Sequence, residues 1–154
     1  MAKKKKQDIA KRIENRRAQH DFELGEDLVV GIELTGAEAK NLRMGHGHLR
    51  GSYVTIKDGQ LWLINATISG TGSIPISEQD QTRSRRLLAK RREIEALIAA
   101  KQQGKTIVPL EVLTRGRFVK LRIAVARGKK KYDKRQTLKE RDAQREANRA
   151  MKLR

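Results

Sequence analysis

The sequence predicts a mainly β domain with peripheral helices and a basic C-terminal tail. Three observations predict it. Two stretches pair β-rich runs across a turn signature, a glycine-containing apolar run precedes them, and the positive charge is gathered at the two ends of the chain. With 154 residues there is room for one compact domain with extensions and a modest core, not for two full domains.

The elements follow in order. Asp8 to Ala18 reads as a helix, with Asp8 as N-cap and Ile9 and Ile13 four apart on one face. Asp27 to Leu34 reads as a strand in which Gly31 marks a bulge or bend. Ala37 to Met44 is a short helix stopped by Gly45. Tyr53 to Ile64 places Asp58-Gly59 between two β-branched or aromatic runs, the strongest short-range hairpin signal. Ser69 to Gln81, rich in Gly, Ser and Thr, reads as an exposed loop. From about Ser84 to Gln103, Leu87, Leu88, Ile94, Leu97 and Ile98 form a helical stripe, with Gly104 as C-cap. A second hairpin spans Ile107 to Val125 and turns at Arg115-Gly116. Within it Val119, Leu121, Ile123 and Val125 alternate with mostly polar residues, and Pro109 suggests an edge strand or an irregular start. The tail from Gly128 has good helix formers but few apolar residues (Leu138, Ala143, Ala147, Ala150, Met151), too few to offset ordering entropy in isolation. It is expected to be disordered when free.

Charge narrows the function. The formal net charge is +18, which implies a polyanionic partner, nucleic acid before an anionic membrane. Residues 1–17 carry eight Lys/Arg against Asp8 and Glu14, and residues 127–154 carry twelve against four acids. The body between them is nearly balanced. No long apolar span, lipidation signal or bulky amphipathic face points to a membrane, and MAKKKKQD lacks the apolar stretch of a secretory signal, so a cytoplasmic location is expected. The absence of cysteine excludes disulfides, thiolate zinc sites and cysteine nucleophiles.

No catalytic constellation emerges. His46-Gly-His48 lacks a third ligand at a recognisable spacing, and Gly128-Lys-Lys-Lys lacks the first glycine and the Ser/Thr of a phosphate-binding loop. No cofactor, metal or catalytic residue is implied. The five aromatics are Phe22, Tyr53, Trp62, Phe118 and Tyr132, too few for a platform that grips single strands, and Trp62 and Phe118 are expected in the core. A structured RNA, read by shape, phosphates and ribose hydroxyls, fits better.

Four segments carry the binding chemistry. Asn15-Arg-Arg-Ala-Gln-His20-Asp-Phe22 passes from a basic helix to a strand. Gly31 to Arg43 sets Glu38 at the start of a short helix close to Lys40 and Arg43. That acid serves either as a helix-dipole or salt-bridge partner, or as an acceptor from a guanine edge or a 2′-hydroxyl. Arg83-Ser-Arg-Arg-Leu-Leu puts cations at an expected helix start, where they oppose the macrodipole unless an RNA phosphate engages them. Gly128-Lys-Lys-Lys-Tyr132-Asp-Lys-Arg135 is a glycine hinge followed by dense charge, otherwise a solvated tail.

In this order and spacing the four segments resemble the signature of the SsrA-binding protein (small protein B) family, from about Ile13 to Met151. Asn15, Arg16, Arg17 and His20 match the first motif, with Gln19 where a base is usual. Gly36, Glu38, Lys40, Leu42 and Arg43 match the second, with Asn41 in place of a common serine. Asp80, Thr82, Arg83, Arg85, Leu87 and Leu88 match the third, with Gln81 where proline is usual. Gly128, Lys129, Lys130, Tyr132, Asp133, Lys134, Arg135, Lys139, Glu140 and Arg141 match the tail, while Met44 to His48 departs from the usual Ala-Gly-Lys-Ala-Asn.

The resemblance implies an oligonucleotide-binding-type β-barrel over residues 1–127 and a tail over 128–154 that is helical on the ribosome. It also implies binding to the tRNA-like domain of transfer-messenger RNA and delivery of that RNA to stalled ribosomes, by a monomer. RNA contacts would come from Asn15, Arg16, Arg17, His20, Gly36, Glu38, Lys40, Arg43, Arg83 and Arg85. Lys129, Lys130, Tyr132, Asp133, Lys134, Arg135, Lys139 and Arg141 would serve the small-subunit rRNA, the decoding site and the mRNA channel. A general ribosome-associated or assembly protein would share the charge and the arms. An RNA-modifying enzyme is disfavoured by the missing constellation.

Overall fold

The computed structural model describes residues 12–129 and 131–152. In chain order the elements are β1 (Ile13–Glu14), α1 (Arg16–Asp21), β2 (Phe22–Ile32), α2 (Gly36–Arg43), β3 (Gly47–His48), β4 (Tyr53–Lys57) and β5 (Gln60–Ile64). They continue as β6 (Thr67–Ile68), α3 (Glu78–Gln81), β7 (Arg85–Leu88), α4 (Arg91–Gln102), β8 (Thr106–Leu113), β9 (Lys120–Gly128) and α5 (Lys131–Lys152).

The strands close on themselves. Around the ring they run β8-β4-β5-β7-β2-β9 and back to β8, all neighbours antiparallel, with β1 added beside β8 and β3-β6 as a separate pair. Closure removes the open edges that would otherwise template aggregation. With its helices at the periphery, this is the expected oligonucleotide-binding-type barrel. Leu61, Leu63, Leu87, Ile107, Leu121 and Ile123 fill the interior, joined by Leu42 of α2 and Leu97 of α4. A small second cluster, Ala18, Val108 and Ala126, lies where α1 packs on the β8–β9 pair.

Local chemistry accounts for the turns. Asp58 and Gly59 both take positive φ, +52° and +70°, and join Lys57 to Gln60 in register, as a two-residue hairpin requires. Gly45, Gly104 and Gly116 also take positive φ, the first two ending helices as expected.

Several expectations are corrected. The stripe from Ser84 to Gln103 is not one helix. Residues 85–88 are strand β7, in which Arg85 and Leu87 point inward while Arg86 and Leu88 point out, and the helix begins only at Arg91. The barrel needs a strand between β5 and β2 to close, and that pairing overrides the helical spacing of the leucines. The cations there therefore do not sit at a helix start. At the N-terminus, Ile13 lies in β1 and the helix runs only over Arg16–Asp21, while Asp8 and Ile9 lie outside the described residues. The bulge of β2 falls between Leu24 and Asp27, whereas Gly31 is the residue at which β2 pairs with both β7 and β9. Pro109 sits inside β8 at an irregularity spanning Pro109 to Glu111. Neither aromatic expected in the core is fully buried there: Trp62 is half-buried and Phe118 is 67% exposed.

Helix α5 leaves the barrel after β9. The side chains described along it, from Arg135 onward, are exposed apart from Thr137, so tertiary packing adds little to its stability. Its root is tied down by Lys129, whose backbone N–H donates to the Asp21 carbonyl and whose Nζ donates to the Gln19 carbonyl and to Thr137 Oγ1.

Candidate nucleic-acid interface

The residues singled out by the sequence divide into two groups, one built on α2 and the start of β7, the other around α1 and the root of the tail.

The first group is built on α2. Thr35 caps this helix in reciprocal fashion: its Oγ1 accepts from the Glu38 N–H at 3.3 Å, and Glu38 Oε1 accepts from the Thr35 N–H at 3.0 Å. Thr35-Gly-Ala-Glu38 is the Thr-x-x-Glu pattern of a capping box, a signal the sequence reading passed over. That box points Glu38 inward, where it is 1% exposed. Its Oε1 also accepts from Arg83, and its Oε2 accepts from Arg85 Nε at 2.5 Å.

Arg85 itself is fully buried and wholly satisfied. Besides Glu38, its NH1 donates to the carbonyls of Ala66 and Arg83, and its NH2 to those of Asp80 and Gln81, at 2.9–3.1 Å. Every N–H of the guanidinium is used. Asp80 and Gln81 close α3, Arg83 lies on the approach to β7 and Ala66 directly precedes β6, so one buried cation ties these three segments together. Burial is the largest influence on both titrations. It raises the Glu38 carboxyl, yet Arg83, the Thr35 amide and Arg85 together bring it below the ordinary carboxylate range. Arg85 is lowered by burial against the pull of Glu38, and remains charged. Arg83 keeps about a third of its side chain in solvent (34%) and is the member of the trio that reaches the surface.

Around this trio, Asn41 is buried, donating from Nδ2 to the Ile74 carbonyl at 3.1 Å and accepting from Thr71 Oγ1. The expected exposed loop Ser69 to Gln81 is therefore tied to α2, and it contains the short helix α3. Gly36 and Lys40 are exposed on α2. Arg43, at its far end, donates from NH1 to the carbonyls of Thr114 and Gly116 and from NH2 to that of Arg117, which fastens α2 to the β8–β9 hairpin tip.

The second group surrounds α1 and the root of the tail. Asn15 precedes α1 and docks on the irregular part of β8, its N–H donating to the Leu110 carbonyl and its Nδ2 to that of Pro109. Arg16 and Arg17 are exposed on the helix. His20, in its last turn, is partly exposed and buries an Nδ1 without a protein partner. Arg135, Lys139 and Arg141 project from α5 into solvent. Lys130 lies outside the described residues, as do the side chains of Tyr132, Asp133 and Lys134.

The arrangement offers two cation-bearing surfaces on a rigid barrel, with a basic helix beside one of them. Among the described residues no group of three His, Cys, Asp or Glu side chains is gathered to hold a metal ion, and no helix is long and apolar enough to cross a membrane.

Comparison with known proteins agrees with this arrangement. The model of the SmpB protein family matches residues 12–153. An SsrA-binding protein of Rubrobacter xylanophilus is 45% identical over 141 residues, 91% of this chain and 94% of its own. Another, of Oenococcus oeni, is 45% identical over 153 residues, 99% of this chain and 98% of its own. A chain of the solved structure described as "tmRNA-SmpB: a journey to the center of the bacterial ribosome" superposes with a TM-score of 0.63 at 38% identity, over 78% of this chain and 85% of that one. Since the match extends unbroken through the barrel, the Glu38 trio and the tail, the chain belongs to the SmpB, or SsrA-binding protein, family.

Proposed function

We propose that this protein binds the tRNA-like domain of transfer-messenger RNA and delivers that RNA to stalled ribosomes for trans-translation, so that the nascent chain is tagged and the ribosome rescued. Family membership supports the reading, and one structural observation carries it: a closed barrel with cationic surfaces is joined to a long basic helix whose described side chains, from Arg135 onward, are exposed apart from Thr137. A surface of this kind gains its partner elsewhere. The barrel, residues 1–127, holds the RNA and stands in for the anticodon arm that transfer-messenger RNA lacks. The tail, residues 128–154, enters the mRNA channel where no message occupies it.

The exposed faces of α5 give it marginal order in the free protein, and contact with rRNA phosphate completes the helix. Ordering entropy is then offset only in an empty channel, which makes the tail a sensor of vacancy. The protein acts by binding and positioning, without a catalytic step, as a cytoplasmic monomer.

Deleting residues 129–154 tests the division of labour. It removes eleven Lys/Arg and leaves Glu38, Arg83 and Arg85 in place. Binding to isolated transfer-messenger RNA should persist while tagging on stalled ribosomes collapses. Normal tagging by the truncated protein would reject the role of the tail, and recovery of mainly rRNA from cells, rather than one dominant small RNA, would reject the partner.

A further inference from the structure

The tip of the β8–β9 hairpin holds an aromatic side chain that neither the core nor the matched motifs explain. Phe118 is 67% exposed, whereas the next residue, Val119, is buried. A single exposed ring is ordinary on a protein surface, so it is the surroundings of Phe118 that give it meaning.

Three features of the tip point to a partner for it. The segment Thr114-Arg-Gly-Arg-Phe-Val-Lys120 contains three cations and no acid, and Arg115, Arg117 and Lys120 are all exposed. The Arg117 guanidinium carbon lies over the Phe118 ring, 5.6 Å from its centroid, and the side chain otherwise stays largely in solvent. The backbone beneath is held at three carbonyls by Arg43, at 2.8, 3.0 and 2.9 Å, so the ring is presented on a fixed support. An apolar ring in a positive field, rigidly mounted, suits a partner that is both flat and anionic. An unpaired nucleobase with its flanking phosphates is such a partner, whereas an apolar protein pocket has no use for three cations around the ring.

We propose that Phe118 is a base-stacking residue: its exposed ring takes an unpaired base of the bound structured RNA, and Arg115, Arg117 and Lys120 take the neighbouring phosphates. Arg43 is a positioning residue that acts on this contact through the hairpin backbone. The inference rests on the RNA-binding reading above and adds a contact at a place the matched motifs do not reach.

The test titrates the full-length protein into a fluorescent transcript of the tRNA-like domain, at fixed salt, with a ribosomal RNA hairpin of equal length as control. Phe118→Ala should weaken binding about 5- to 150-fold. Phe118→Trp should keep or raise affinity, and Phe118→Leu should behave like the alanine variant, because apolar bulk without a π-face does not stack. Arg43→Lys should weaken binding in the wild-type background and change little when Phe118→Ala is already present, a coupling that a general loss of stability does not produce. Wild-type affinity for Phe118→Ala, or full rescue by leucine, overturns the proposal. So does an intact affinity for the transcript with lost association to ribosomes, which would place the tip on the ribosome instead. If the wild-type protein prefers the control hairpin, the partner assignment fails; a flat variant series with normal wild-type selectivity defeats only the stacking contact.

Discussion

Replacing Glu38 by Gln keeps the shape of the side chain and removes its charge, leaving Arg85 as a buried cation whose side chain is 0% exposed. The neutral amide can still accept one hydrogen bond but cannot balance the guanidinium. Breaking a buried ion pair from one side costs about 3–5 kcal/mol, because the remaining charge stays desolvated. Here the four carbonyls around Arg85 soften the loss, so about 3 kcal/mol is expected. Arg83→Ala removes the partly exposed partner and should cost no more than about 1 kcal/mol. Urea unfolding at pH 7 measures both. With a slope of about 1.5 kcal/mol per molar, the Glu38→Gln midpoint should fall by about 2 M and the Arg83→Ala midpoint by well under 1 M. Combining Glu38→Gln with Arg85→Met should cost less than the two single changes added, since the stranded charge is then gone. If Glu38→Gln costs less than about 1 kcal/mol while RNA affinity falls sharply, the carboxylate is serving the RNA directly, and its interior role as described is refuted.

Other outcomes follow from the same structure. The Glu38 carboxyl is held below the usual range, so its contribution to stability is fully present above the unfolded Glu value of about 4.3 and is lost as pH falls through the lower folded value. Acidification below about pH 4.3 should therefore destabilise the wild type more steeply than Glu38→Gln in urea titrations. Gly70→Ala should destabilise by about 1–3 kcal/mol, since a Cβ there would lie 2.4 Å from the Ile76 backbone nitrogen, whereas Gly72→Ala, with nothing within 4 Å, should stay within about 0.5 kcal/mol in thermal melts. If about five phosphates are engaged, log K for RNA should fall with log salt at a slope of about 4, and a slope near zero would remove the electrostatic basis of the interface.

Signals confined to neighbouring residues were legible without the fold. Asp58-Gly59 needs positive φ at two successive positions, a condition set by those two residues, and the hairpin followed in register. The helix stops at Gly45 and Gly104 and the gathering of cations in the tail are equally local. The order and spacing of the four matched segments also sufficed to indicate the family. Leu87 and Leu88 mark where such reasoning ends. Their spacing to Ile94, Leu97 and Ile98 satisfies a helix, and only the vacancy between β5 and β2 in the closing ring makes residues 85–88 a strand. Phe118 was partly legible. Val119, Leu121 and Ile123 alternate inward, which sets Phe118 on the opposite parity, whereas an expectation based on the small number of aromatics takes no account of parity.

The sequence by itself determined the β-rich class, the segregation of charge, the hairpin turns and the membership in one family, because each depends on composition or on residues close along the chain. Only the tertiary structure decided that Glu38 and Arg85 are interior partners, that Asn41 ties down the loop beside them, and that Arg43 supports the hairpin tip. Those pairs are separated by 47, 33 and at least 71 positions. The worth of a charge or an amide there depends on how much water the surrounding chain removes, a quantity that exists only once the barrel has closed.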